Sequence, residues 1–303
     1  SGFFALIFLF LSFVVSAQKL EYASLTIPDS LKQNANAVVR LHEVTINIPS
    51  QNEMKVKTKV VTTVLNELGL NSLDLSEYHD KNRKITKIEA IVFDGFGKEL
   101  KSYKRKDFKD VSVADGISIF NDNRALHLDY TPVSYPFTMV FETEVETSNT
   151  AFIQPWVPIE SYLKSVEKTV FTIVFKPELI LKRKEVNFSN RYAIEVKETP
   201  GSISYSAKNL TAKKHEELSP DFEYLFPKVI FGLTNFSLEG VNGSANSWNE
   251  MGKWFYDQIL NGTSDLPTET REKIKNLVGN ESDPLKKAAI VYKFVQEKTR
   301  YVS

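Results

Sequence analysis

The chain has 303 residues, 42% of them hydrophobic and 12% aromatic, enough to bury a large core and to hold more than one folding unit. Lys+Arg and Asp+Glu both number 38, so no net charge draws the chain to nucleic acid or to an anionic membrane, and neither partner is expected. Cysteine is absent, which excludes disulfides and every thiolate metal site. The first element is an almost unbroken apolar run from Phe3 to Val15, closed by the small residues Ser16 and Ala17 before Gln18. A helix needs about 20 apolar residues to span a bilayer, so this run is too short. Its length and small-residue end are those of a secretory signal peptide, although the cationic start is missing. Residues 1–17 are therefore read as a cleaved signal peptide, and membrane contact is expected through that segment alone. The protein is expected to be exported, to the periplasm or beyond. No cysteine follows Ala17 to carry a lipid anchor. Large exported bacterial domains do without disulfides, and the chain fits that class. Six Asn-x-Ser/Thr sequons (Asn187, Asn209, Asn235, Asn242, Asn261, Asn280) carry little weight in so Asn- and Ser-rich a chain.

From about Asn36 to Glu239 the periodicity is that of strands. Val38 to Ile46 is rich in β-branched residues and stops at Pro49, and Met54–Val60 alternates apolar or Thr positions with Lys. Lys87–Phe93 and Leu100–Tyr103 flank Asp94-Gly95-Phe96-Gly97 and read as a hairpin, with glycine supplying positive φ in the turn. Further strands are predicted at Ala125–Tyr130, Phe137–Glu146, Val166–Phe175, Tyr192–Lys197 and Ser202–Ala207. Many strands without helices between them predict a mainly β domain over 18–245, an antiparallel β-sandwich.

The pattern changes near Ser244-Ala245-Asn246, and 246–303 reads as helical. Met251, Trp254, Phe255 and Ile259 share a helical face that Asn261-Gly262 ends. A second helix follows Leu266-Pro267-Thr268 and stops at Gly279. A third opens at Ser282-Asp283-Pro284, an N-cap with Pro in the first turn. Leu285, Ala288, Ala289, Tyr292 and Val295 form its apolar stripe, and Ile290, Val291 and Phe294 widen it beyond what a one-sided surface helix needs.

Two families are resembled. Tyr135-Pro136-Phe137, the Val140–Val145 strand and Pro155-Trp156-Val157-Pro158 resemble the domain of unknown function numbered 3857, which precedes transglutaminase-like domains in exported bacterial proteins. Ser247–Tyr256, the Leu266-Pro267 helix and Asp283 through Thr299-Arg300-Tyr301-Val302 resemble the opening of such a transglutaminase-like domain. The resemblance implies an immunoglobulin-like sandwich followed by a papain-like cysteine, histidine and aspartate enzyme domain, its partner in cis. The full-length protein is then expected to perform cysteine-dependent acyl transfer or peptide hydrolysis. This chain, having no cysteine, supplies no catalytic residue and no cofactor site, and it is expected to be a piece cut at Ser303.

Other chemistry finds weak support in the sequence. His42, His79, His127 and His215 lie far apart and in no metal-binding spacing. Glu142, Glu144 and Glu146 alternate on one strand face and read as a solvated surface, not as catalytic carboxylates. Asp94–Lys98 lacks the length and the Ser/Thr of a phosphate loop. Lys101, Lys104, Arg105, Lys106 and Lys109 read as protection of a sheet edge. Trp156, between Pro155 and Pro158, is the candidate binding residue for a sugar or peptide. Its plainer role is a hydrophobic peg against the following domain. Trp248 and Trp254 read as helix packing residues. The alternative to an enzyme headpiece is a periplasmic or surface module that binds a glycan, peptide or protein.

Overall fold

The computed structural model describes residues 20–113, 124–189, 192–263 and 265–299. The expected signal segment and the terminal Arg300–Ser303 lie outside them. With 43% strand and 24% helix among the described residues the chain is mainly β, with several sheets. It divides into two compact units, Ser1–Val111 with Arg124–Gly243, and Ser112–Asn123 with Ser244–Ser303.

The described strands are β1 (Ala37–Ser50), β2 (Glu53–Val64), β3 (Ser76–His79), β4 (Arg83–Asp94), β5 (Glu99–Lys104), β6 (Lys109–Ser112), β7 (Arg124–His127), β8 (Phe137–Thr147), β9 (Lys164–Phe175), β10 (Leu181–Val186), β11 (Glu195–Thr199), β12 (Ser202–Leu210), β13 (Lys228–Leu233), β14 (Asn235–Leu238) and β15 (Val241–Ser244). Eight form one sheet in the order β11-β12-β9-β1-β2-β8-β4-β5. Its neighbours are antiparallel at every junction but one. There β1 and β9 run parallel, from Ala37↔Lys164 to Ile48↔Phe175. The purely antiparallel arrangement expected from sequence is corrected at this junction. Parallel neighbours need a long connection instead of a hairpin, and the chain from β2 to β8 provides it.

Alternation explains the two faces. Val44, Ile46 and Ile48 of β1 are buried while Glu43 and Asn47 face solvent. On β2, Met54 and Val56 point inward and Lys57 outward. Two smaller sheets cover the apolar face. The sheet β3-β7-β6 lies over β4 and β8, where Leu75, Phe108 and Leu126 join Val92, Met139 and Phe141 in one core. The pair β10-β13 lies over β9 and β12, with Phe231 stacked on Phe171 at 5.3 Å and 5.9 Å from Tyr205. A one-turn helix, α1 (Asp29–Lys32), closes a third cluster with Leu31 fully buried against Ile27, Val38 and Ala212. A further short helix of this unit is α2 (Phe222–Leu225). Its Phe222 packs on Phe226 and Tyr162.

The expected Asp94–Gly97 turn forms as the sequence suggests. Asp94 Oδ1 accepts hydrogen bonds from the Phe96 and Lys98 amides, both at 2.9 Å, and Gly97 takes φ +84°.

The second unit contains α3 (Trp248–Phe255), α4 (Thr268–Val278) and α5 (Pro284–Lys298), with a wider turn over Tyr256–Leu260 after α3. Ser247 caps α3 by accepting from the Glu250 amide, and Asp283 caps α5 by accepting from Leu285. Gly279 ends α4 with φ +52°. None of these three helices has a buried residue; Trp248, Leu285 and Tyr292 are 90%, 81% and 65% exposed. No helix among the described residues is long and apolar enough to cross a membrane.

Candidate functional site

The two covering sheets leave the middle of the large sheet open, and there β1 and β2 form the floor of a cleft of about 670 Å³. Val44, Val56, Val60 and Phe141 make that floor apolar. One wall is the segment Ser72–Tyr78 with Arg83. The other is Gln154–Val157 with Glu160 and Lys164.

Each wall carries an ion pair. Arg83 donates to Glu77 at 2.7 Å, and the other Glu77 oxygen accepts from Thr143 Oγ1 at 2.7 Å. On the opposite wall Glu160 takes Lys164 Nζ at 2.7 Å on one oxygen and His42 Nδ1 at 3.2 Å on the other. Burial alone would raise the Glu160 carboxyl. The His42 hydrogen bond and the Lys164 charge outweigh it and hold the group at about 2. Lys164 is buried, so Glu160 is the counter-ion that lets an ammonium stand at the base of β9. His42 Nε2, the Gln154 amide and the Tyr78 hydroxyl have no partner among the described residues.

Trp156 belongs to this wall but is only 2% exposed. Its Nε1 donates to Thr169 at 3.1 Å, its ring packs on Tyr205 at 5.5 Å, and its backbone bridges to Val229. The indole is therefore not presented to solvent by the Pro155–Pro158 loop. Its contacts lie within its own unit.

The four histidines have four different settings. His42 faces the cleft, and His79 meets Asp110 at 3.2 Å. His127 bridges Ser76 and Asp129, and His215 packs edge-on against Tyr162. Among the described residues no group of three or more His, Asp or Glu side chains could hold a metal.

The alternating glutamates of β8 lie on the uncovered face, each opposite a lysine of β2: Glu142↔Lys59, Glu144↔Lys57 and Glu146↔Lys55. Lys87 reaches across from β4 to bridge Glu142 and Glu89 at 2.8 and 2.7 Å, and Lys104 pairs with Glu89. Hydrogen bonds from Lys104 and Lys87 hold Glu89 at about 2. The basic stretch 101–109 is likewise used locally. Lys101 sits over the Tyr103 ring, and Lys109 pairs with Asp129 at 2.6 Å.

The sequence alone did not single out Glu77, Arg83, Glu160 or Lys164. The available signal was faint: Lys164 opens β9, a strand of mixed polar and apolar residues, where a buried ammonium calls for a counter-ion.

The family described as "Domain of Unknown Function with solved-structure structure (DUF3857)" matches residues 50–214, more than half of the chain. The chain belongs to the DUF3857 family. The matched stretch runs from the end of β1 past β12 and so includes most of the cleft. A crystal structure from Parabacteroides distasonis, described as a "putative protease", shares the fold of this DUF3857 chain with TM-score 0.62 and 11% identity. The match covers 86% of this chain and 50% of that one, so the chain spans half the length of its solved relative. Legionella pneumophila aminopeptidase A (15% identity, 65% of this chain and 21% of that one) has a TM-score of only 0.28. The M1 zinc metallopeptidase of Deinococcus radiodurans (9% identity, 80% and 53%) scores the same. Neither score indicates a shared fold. No curated protein matches the DUF3857 chain.

Proposed function

We propose that this chain is the non-catalytic DUF3857 region of an exported protein whose further length carries a transglutaminase-like domain. In this reading the strand-rich unit is an immunoglobulin-like sandwich placed ahead of the enzyme, and the three helices open the enzyme domain. The observation that carries it is the apolar stripe of α5. Leu285, Tyr292 and Val295 are exposed along one helix, a surface that a neighbouring domain covers. The solved relative, described as a "putative protease", is twice as long as the matched region, which fits an additional domain. The apolar run Phe3–Val15 before Ala17 supports export.

The chemistry of the whole protein is thiol acyl transfer: a cysteine thiolate outside this chain attacks an amide carbonyl, and a histidine carries the proton. Water or an amine completes the reaction. The test is to read the native gene past Ser303 and to assay the full-length protein for alkylation-sensitive amide hydrolysis or amine incorporation. A downstream cysteine followed by histidine and aspartate, with activity abolished by iodoacetamide, is the expected result. A stop codon there, or a downstream sequence without that set, overturns the proposal. Export is checked separately by mass spectrometry, which should find a mature protein beginning at Gln18.

A further inference from the structure

We propose that the cleft over β1 and β2 binds a short neutral oligosaccharide, with Tyr78 as the ring on which a sugar stacks. This goes beyond the acyl-transfer reading and does not depend on it. The volume, about 670 Å³, lies within the range of roughly 300–1,000 Å³ typical of ligand sites, room for about two to four sugar rings.

The surface that the cleft offers a ligand is mostly polar, with one open aromatic ring. Val44, Val56 and Phe141 close the floor but are 2%, 5% and 7% exposed, so an apolar side chain gains little contact there. Tyr78 lines the same cleft and is 49% exposed, whereas Trp156 is 2% exposed. An open ring on one wall gives the C–H face of a pyranose an apolar partner. The backbone beneath that ring is fixed. Tyr78 pairs with Ala125 across β3 and β7, and its carbonyl accepts from Arg83 Nε at 3.0 Å. Binding there orders little further main chain.

The polar groups select among occupants. Every hydroxyl of a sugar both donates and accepts, and the walls supply both roles. The Gln154 amide donates and accepts, and His42, with Nδ1 on Glu160, leaves Nε2 to accept from a hydroxyl. Glu77 and Glu160 hold one protein donor on each oxygen and keep lone pairs for further hydroxyls. A free anion is poorly served, since Arg83 and Lys164 are each already paired with a carboxylate at 2.7 Å. A cation is poorly served for the converse reason, because both carboxylates already have their cations. A peptide finds neither of its usual supports. β1 and β2 are paired on both sides, so no strand can be added, and the buried floor opens no apolar pockets.

The test is an NMR titration of the full chain, ¹³C-labelled on its tyrosine rings, with trisaccharides of glucose, N-acetylglucosamine, mannose and galactose. Inorganic phosphate and a capped tetrapeptide of valine, leucine and alanine serve as parallel ligands. Saturable shifts of the Tyr78 ring at millimolar trisaccharide, and none with phosphate or peptide, are expected. Tyr78→Ala should weaken binding about tenfold or more by removing the stacking face, while Tyr78→Phe, which keeps it, should stay within about threefold of the wild type. Gln154→Ala should weaken binding about three- to tenfold, the loss of one neutral hydrogen bond. Both positions are exposed, so neither substitution should disturb the fold. Absence of saturable shifts with every trisaccharide overturns the proposal. Tighter binding of either parallel ligand at the Tyr78 ring overturns it too, and so does sugar binding that Tyr78→Ala and Gln154→Ala both leave unchanged.

Discussion

Lys164 opens β9 with 8% of its surface exposed, and its ammonium stands there only because Glu160 faces it at 2.7 Å. Glu160→Gln should therefore destabilise the protein by about 1–3 kcal/mol, because a buried cation loses its counter-ion. Urea unfolding at pH 7 reads this directly. The same pair shapes the acid limb. The folded Glu160 carboxyl, at about 2, lies below its ordinary value of 4.5, so its contribution is complete above about pH 4.5 and is lost as the pH falls towards 2. The wild type should lose more stability across that window than Glu160→Gln, and equal slopes would count against the pair. Gly69 offers a second test at this scale. A Cβ there would stand 2.2 Å from the Asn36 carbonyl oxygen, which already accepts from the Leu65 amide. Gly69→Ala should cost about 1–3 kcal/mol through overpacking, measured as a lowered Tm. An unchanged Tm would mean that the turn Glu67–Ser72 can shift away from β1.

The charged ladder on the open face shows how an element's register replaces a catalytic pattern with a structural one. In the structure Glu89 and Glu142 stand directly opposite one another, an arrangement that repels unless a cation intervenes, and Lys87 bridges both. Glu142→Gln should cost no more than about 1 kcal/mol, and 1 M NaCl should erase most of the difference. A loss that persists in high salt would point to packing instead of charge. The exposed helices behave differently. Leu285→Lys on α5 should leave the stability of this chain within about 0.5 kcal/mol, because the side chain is 81% exposed. In the longer protein proposed above, where a neighbouring domain covers the stripe, the same substitution should be costly.

At the scale of the whole molecule, local signals were legible in the sequence and distant ones were not. The Asp94–Gly97 turn, the cap Asp283 and the stop at Gly279 are each decided within a few residues and are legible in the sequence. The short strands β3, β6, β10 and β13 to β15 were missed: at four to six residues they are too brief to show a period, and in β10 the four central residues are Lys182, Arg183, Lys184 and Glu185. The cleft was invisible because its walls, Ser72–Tyr78 with Arg83 and Gln154–Val157 with Glu160 and Lys164, lie far apart in the chain. No spacing announces that His42 will meet Glu160. The DUF3857 assignment rested on short motifs, of which Trp156 folds into the wall instead of standing free.

The parallel junction between β1 and β9 sets a timetable for the nascent chain. Arg40 and Glu167, which pair across it, are 127 positions apart. At about 5–20 residues per second of synthesis, β1 therefore waits roughly 6–25 s for that neighbour. In the interval its edge carries unpaired amides and carbonyls along an apolar strand, an invitation to self-association. The central strand is thus among the first made and among the last sealed. Fragments ending before Lys164 should aggregate, while those that include β12 should be soluble.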